Sequence, residues 1–155
     1  MVEDRNVCLP RSPELLLSTL AALHVETRPE WQPGHGGHGV TWCNQAAEAA
    51  AKALECPLPP GLLANAQQGW LDSAAARSLG WVECTAEHAG ERAEGGFPTF
   101  ATYFEEPHGH IGVVTVGRGP GLYLWQAGRT NRERASIRLC FTVAQLLKVR
   151  YFTHV

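Results

Sequence analysis

Apolar residues follow a helical spacing in the first two thirds of the chain, and in the last third they form short runs separated by Gly or Pro. Apolar residues three or four positions apart, bounded by capping residues or by Gly and Pro, predict helices over residues 12–24, 44–55, 62–79 and 85–94. The third of these is predicted to break near Gly69. Between the first two helices, the Gly- and Pro-rich stretch VETRPEWQPGHGGHGVTW predicts a long loop.

From residue 98 onwards, β-branched and aromatic residues dominate. They predict strands in PTFATYF, HIGVVTV, GLYLWQAG, IRLCF and RYFTHV, with a short helix in TVAQLLKV. The turn GRGPG between the second and third strands predicts that these two form a hairpin. Helices followed by an antiparallel meander predict an α+β domain, with N-terminal helices packed on a C-terminal antiparallel sheet.

Length and composition exclude several classes of function. A chain of 155 residues predicts one domain, residues 1–155, with its own hydrophobic core. Thirteen basic and fifteen acidic residues give a net charge of −2, which argues against nucleic-acid binding. No apolar run approaches the roughly 20 residues of a membrane span, and the acidic N-terminus does not fit a signal peptide. Five cysteines without a CxxC pair predict free thiols in a reducing compartment.

Cys43 is the first candidate for chemistry. It lies in TWCNQ, where the Gly-rich loop enters an Ala-rich helix. Unpaired backbone N–H groups and the positive end of the helix dipole at that position favour a thiolate and lower the pKa of a cysteine. The same N–H groups can hold an oxyanion. The alternative is a buried cysteine that packs as a small apolar residue.

His110 and Gln126 are the second and third candidates. His110 opens an apolar strand directly after a glycine, and Gln126 lies on the following strand. If GRGPG pairs these strands, the Gln126 amide oxygen can accept the imidazole N–H and fix its tautomer. Asn131 is a rival for that orienting role. Individually, a turn histidine and a solvent-facing glutamine remain the alternatives.

The ordered set, a Cys at a helix start, a His at a strand start and a polar side chain on the next strand, resembles the papain-like cysteine amidases of the CHAP and NlpC/P60 type, which cut peptidoglycan. The resemblance is carried by TWCNQAAEAAAKAL, GHIGVVTV and YLWQAG, and extends over residues 40–155. It implies a compact papain-like core over residues 31–155, preceded by a helical extension over residues 1–30.

The resemblance also implies roles for individual residues. Cys43 would be the nucleophile, His110 the general base and Gln126 the orienting residue, with no cofactor and no metal. Residues near these three in sequence or beside the predicted site are expected to contact substrate: Trp42, Asn44, Asn65, Trp125 and His108. Core packing for the two tryptophans and a structural role for Asn65 are the alternatives.

The implied substrate is the peptide stem of peptidoglycan. Because the sequence predicts no signal peptide, we expect a protein made in the cytoplasm that reaches the periplasm or cell wall through a secretion machine or phage lysis. A delivered enzyme of this kind would be paired with a cognate immunity or inhibitor protein.

Three other functions remain open at the level of sequence. His35 and His38 stand in HGGHGVTWC with Cys43, and three N or S ligands plus water would make a zinc hydrolase. A non-catalytic module that binds cell-wall peptide is the second. The third is the same thiol chemistry on a protein substrate, as a protease or acyltransferase.

Overall fold

The computed structural model describes residues 10–155. The helices are α1 (Pro13–Ala21), α2 (Cys43–Ala53), α3 (Ala64–Leu71), α4 (Ala74–Ser78), α5 (Ala86–Glu94), α6 (Ile137–Cys140) and α7 (Val143–Leu146). The strands are β1 (Trp81–Cys84), β2 (Thr99–Tyr103), β3 (His110–Thr115), β4 (Tyr123–Gln126), β5 (Arg132–Ser136) and β6 (Arg150–His154). A 3-10 turn at Pro29–Trp31 lies in the long loop.

The predicted helices are confirmed together with two of their caps. Ser12 Oγ accepts a hydrogen bond from Leu15 N at the start of α1, and Thr85 Oγ1 accepts one from His88 N at the start of α5. The predicted break in the third helix is confirmed, but it lies at residues 72–73, because α3 continues through Gly69 to Leu71. A new helix then begins after Ser73, whose hydroxyl caps α4.

All six strands form one antiparallel sheet in the order β1-β6-β2-β3-β4-β5. The predicted α+β class is confirmed, and so is the hairpin of β3 and β4, in which Val113 pairs with Trp125. Strands β2 to β5 form the meander, and β6 returns to pair with the other edge of β2.

Three details of the strand prediction are wrong. Residues 137–140 of IRLCF form helix α6, and only after it does the chain return to extended backbone at Phe141. Residues 81–84, to which no element was assigned from the sequence, form edge strand β1. The polar stretch RTNRERAS contains β5, which is the opposite edge of the sheet.

A single hydrophobic core joins the helices to the sheet. Leu16 and Leu20 of α1 belong to it, together with Trp81, Phe100 and Phe152 from the strands. The described part of the predicted N-terminal extension therefore packs on the domain. Its first nine residues, including Cys8, lie outside the described residues. Cys43, Cys56, Cys84 and Cys140 are free thiols. Within residues 10–155, no helix combines the length and apolarity needed to cross a membrane.

Asn131 ties the N-terminal loop to the turn between β4 and β5. Its amide nitrogen donates to the carbonyl oxygens of Val25 (3.1 Å) and Trp31 (2.8 Å), and its oxygen accepts from Gly128 N (3.0 Å). The side chain is buried, and two of its three hydrogen bonds connect segments about a hundred residues apart in sequence. Asn131 therefore has a structural role, and the rival assignment of this residue as the orienting group is wrong.

We expect Asn131→Ala to lower the free energy of unfolding by about 3 kcal/mol, because it leaves three buried backbone groups without partners. Chemical denaturation followed by tryptophan fluorescence measures the change. Asn65→Ala is the matched control, since Asn65 also bonds backbone groups but is only partly buried; its expected cost is below about 1 kcal/mol. Equal costs for the two variants would contradict the assignment.

Candidate active site

Cys43 is the first residue of α2, as predicted. The buried alanines at positions 46, 47, 50 and 51 give the helix one smooth face, on which it packs against β3. The Gly-rich loop before it turns sharply through glycines with positive φ, including Gly36 and Gly39, which returns the chain to the sheet at the start of the helix. This arrangement leaves the Cys43 residue only 6% exposed.

The surroundings of the Cys43 thiol have two opposing effects. Burial raises its pKa, while hydrogen bonds from the backbone N–H groups of Ile111 and Asn44 act in the opposite direction. Burial is the larger effect, so the expectation of a lowered pKa is wrong for the free protein. The N–H groups at the helix start do lower the pKa of the thiol, as expected, but the removal of water from around the sulfur raises it by more.

Ile111 is the residue directly after His110, so its contact places the thiol beside the start of β3. Among the hydrogen bonds of residues 10–155, none joins the thiol directly to the imidazole of His110. Catalytic hydrogen bonds are often long in the free enzyme and shorten when substrate is bound. The structure thus brings Cys43 to the end of β3 at which His110 lies.

His110 and Gln126 form the contact that the hairpin predicts. Nε2 of His110 lies 2.7 Å from Oε1 of Gln126. The Gln126 amide also donates from Nε2 to the carbonyl oxygen of Thr130, at 3.2 Å. Since a carbonyl oxygen only accepts, this second bond fixes which end of the amide faces the ring. His110 must then carry its proton on Nε2, which leaves Nδ1 as a free base.

Aromatic packing holds the His110 ring from another side. Phe141 meets it edge-on, with ring centroids 5.6 Å apart, and meets Tyr103 in the same way at 5.8 Å. Burial lowers the pKa of His110, and the hydrogen bond that its Nε2–H donates to Gln126 opposes this shift. His110 is therefore a neutral base near pH 7, and Cys43 is a neutral thiol.

We expect the imidazole of His110 to titrate with a midpoint below 6.5 in NMR spectra of the folded protein. Because folding lowers the pKa of His110, the neutral imidazole favours the folded state and the imidazolium favours the unfolded state. The contribution of His110 to stability is therefore present above pH 6.5 and is lost as the pH falls from 6.5 towards the folded pKa. His110→Gln removes the signal and assigns it. A midpoint above 6.5 would contradict the burial of this ring.

Trp42 precedes the nucleophile candidate and borders the Gly-rich loop. Its indole nitrogen donates to the carbonyl oxygen of His35 at 3.1 Å, and the two rings lie 6.0 Å apart. Trp42 remains partly exposed. Its role as a wall for substrate stays a prediction.

Asn44 and Asn65 hold the backbone around the site. The Asn44 amide donates to the carbonyl oxygen of Leu62 at 3.1 Å, and the Asn44 carbonyl accepts from Gln67 Nε2 at 2.9 Å. The Asn65 amide donates to the carbonyl oxygen of Glu105 at 2.9 Å, in the loop before β3. These contacts match the structural alternative for Asn65. They also occupy the Asn44 side chain, which was expected to contact substrate.

The two remaining residues that were predicted to contact substrate differ in exposure. Trp125 is 1% exposed and packs edge-on against Trp31, at 6.0 Å. Its prediction as a groove wall is therefore wrong, because β4 directs its ring into the core. His108 is exposed in the loop that leads into β3, two residues before His110.

The zinc alternative gains no support from the geometry. Within residues 10–155, no three His, Cys, Asp or Glu side chains converge as a metal site would require. His35 and His38 are both exposed on the Gly-rich loop.

Three functional contacts were not foreseen from sequence. Phe141 packs on His110, Thr130 orients the Gln126 amide, and Gln67 supports the first turn of α2. Phe141 was placed in a strand, and a backbone carbonyl leaves no trace in residue type. The contact of Gln67 could have been predicted from the sequence, since a glutamine on the buried side of a predicted helix needs a polar partner.

The site thus combines a buried thiol at a helix start, backbone N–H groups facing it, and a neutral imidazole whose tautomer is fixed. Such a set can attack a carbonyl carbon, hold the resulting oxyanion and move one proton. In comparisons with known proteins, no family model matches the chain and no curated protein matches it.

Proposed function

We propose that this protein is a papain-like cysteine amidase that hydrolyses an amide bond in the peptide stem of peptidoglycan. The observation that carries the proposal is the pair His110–Gln126. A 2.7 Å hydrogen bond, with the amide oriented by the Thr130 carbonyl, leaves Nδ1 of the imidazole as the free base. A fixed tautomer of this kind serves a nucleophile that must lose a proton.

The reaction begins when Nδ1 of His110 accepts the proton of the Cys43 thiol. The sulfur attacks the amide carbonyl carbon, and the carbonyl oxygen becomes an oxyanion. The backbone N–H groups of Cys43 and Asn44, to which the first turn of α2 gives no carbonyl partner, stabilise that charge in place of the thiol sulfur. His110 then gives its proton to the amine nitrogen, the C–N bond breaks, and a thioester remains on Cys43.

Hydrolysis of the thioester returns the enzyme to its starting state. Nδ1 of His110 takes a proton from water, and the hydroxide formed attacks the thioester carbonyl. The C–S bond breaks, the carboxylic acid leaves, and the thiol recovers its proton. Throughout, the Gln126 oxygen accepts from Nε2–H and stabilises the imidazolium that forms twice in each cycle.

Peptidoglycan is proposed as the substrate because of the residues that resemble the CHAP and NlpC/P60 amidases. The helix start TWCNQ, the strand GHIGVV and the next strand YLWQAG follow one another in the papain-like order. The α+β architecture supports that order, with α2 against β3 and β3 beside β4.

Digestion of purified peptidoglycan sacculi tests the proposal, with the wild type beside Cys43→Ala and the fragments identified by mass spectrometry. New amine and carboxylate ends produced only by the wild type would support it and name the bond. Equal fragments from both proteins would remove Cys43 from the reaction. No fragments from either would contradict the substrate and favour a binding module or a thiol protease or acyltransferase that acts on protein.

A further inference from the structure

Three aliphatic side chains stand out from the surface of the segment that carries α6 and α7. Leu139, Val143 and Leu147 are 84%, 82% and 87% exposed, more than any other large apolar residue among those described. Leu139 lies in α6, Val143 begins α7 and Leu147 follows its last residue, with extended backbone at residues 141 and 142 between the two helices. We call these three residues the apolar stripe.

The same part of the chain is strongly basic. Residues 118–150 contain seven Lys or Arg and a single acid, Glu133, although the whole chain has a net charge of −2. Arg132 pairs with Glu26, and Arg150 pairs with Asp72 and Glu83. Within residues 10–155, the other five cations form no ion pair: Arg118, Arg129, Arg134, Arg138 and Lys148.

Two of these cations lie at the two ends of the apolar stripe. Arg138 directly precedes Leu139, and Lys148 directly follows Leu147. Both are exposed. The segment therefore presents protruding aliphatic groups flanked by positive charge.

Buried contacts and a helix cap hold this segment in place. Phe141, between the first two residues of the stripe, is buried and packs against Tyr103 and against His110 of the candidate site. The Thr142 hydroxyl and the Gln145 side chain close a capping box at the start of α7. The stripe is thus held on an ordered support next to the candidate active site.

We propose that the segment from Arg138 to Lys148 docks the protein on an anionic lipid bilayer. Aliphatic side chains that protrude singly need a partner that accepts them without preformed pockets, and the boundary of a bilayer does so. The unpaired cations match the negative charge of anionic headgroups. A protein partner would need one cavity for each side chain together with an acidic rim. Docking here would hold the candidate site close to the membrane surface.

Flotation of the full-length protein with vesicles tests this proposal. We expect binding to vesicles of equal parts phosphatidylglycerol and phosphatidylcholine, weak binding to phosphatidylcholine alone, and a decrease as salt is raised. The double variant Leu139→Ser/Leu147→Ser should bind at least about tenfold more weakly. Arg138→Gln/Lys148→Gln should lose about fivefold per cation.

The matched control is Leu79→Ser/Val82→Ser. These two residues are also exposed, at 52% and 58%, but Leu79 directly follows α4 and Val82 lies in edge strand β1, next to Glu83. The control and Cys43→Ala should bind as the wild type does, which separates this test from the catalytic proposal. The proposal is overturned by no binding to anionic vesicles at low salt, by unchanged binding of the double leucine variant, or by an equal loss in the control. Capture of an acidic protein by the stripe without vesicle binding would also overturn it.

Discussion

Replacing Cys43 with alanine is expected to reduce amide hydrolysis by about 10⁴-fold or more, to the level of the uncatalysed reaction in the assay. The reason is that the thiol is the only group of the proposed mechanism that forms a bond to the substrate carbon. Cys43→Ser should lose nearly as much, because a hydroxyl gives up its proton far less readily than a thiol. Initial rates on soluble peptidoglycan fragments measure both losses.

The controls for this prediction are two of the other described cysteines. Cys84→Ala and Cys140→Ala remove partly exposed thiols far from α2 in sequence, and both variants should retain full activity. The free energy of unfolding of Cys43→Ala should lie within about 1 kcal/mol of the wild-type value, since only one buried heavy atom, the sulfur, is lost. An active and folded Cys43→Ala variant would end the assignment of Cys43 as nucleophile.

Replacing Gln126 with methionine is expected to lower kcat/KM by about a hundredfold or more while the fold persists. Without the amide oxygen, Nε2–H has no acceptor, and the ring can adopt the other tautomer. Because the Gln126 hydrogen bond opposes the effect of burial, its loss should lower the pKa of His110 further. Gln126→Glu should do the reverse, since a carboxylate against Nε2 favours the imidazolium.

The pH profile of kcat/KM and NMR titration of His110 measure these shifts together. Gln145→Met is the matched control, because Gln145 bonds Thr142 at the start of α7 and does not contact the imidazole. It should leave the profile unchanged. If Gln126→Met kept the wild-type profile and rate, Gln126 would have only a packing role.

Much of the site could be predicted because it depends on local sequence signals. The alanines of α2 and the glycines before it predicted that Cys43 begins a helix. The GRGPG turn predicted the pairing that brings Gln126 to His110. In both cases the residues that determine the geometry are close together in sequence.

Other features could not be predicted, because tertiary contacts decide them. IRLCF is a short apolar run that is equally compatible with strand and helix. The structure forms α6 there and directs Phe141 onto His110. Strand β5 was missed for a different reason. An edge strand does not need an apolar pattern, so Arg132 and Arg134 can face water.

The electrostatics of Cys43 shows the same limit. Its place at a helix start is visible in the sequence and predicts a lowered pKa. How much water remains around the thiol depends on the packing of α2 against β3, which no local pattern records. Burial exceeds the effect of the backbone N–H groups, so the pKa rises. Similarly, Trp125 lies next to Gln126 in sequence but faces Trp31 in the core.

The most direct test of the covalent mechanism is competition between water and hydroxylamine during turnover of a soluble peptidoglycan fragment. A thioester on Cys43 would be captured by hydroxylamine, so the wild type should release a hydroxamate in place of part of the carboxylate, in a ratio that rises with hydroxylamine concentration. Cys43→Ala should release neither product. If the wild type cleaves the bond and gives only carboxylate at every hydroxylamine concentration, water attacks the amide directly and Cys43 is not the nucleophile.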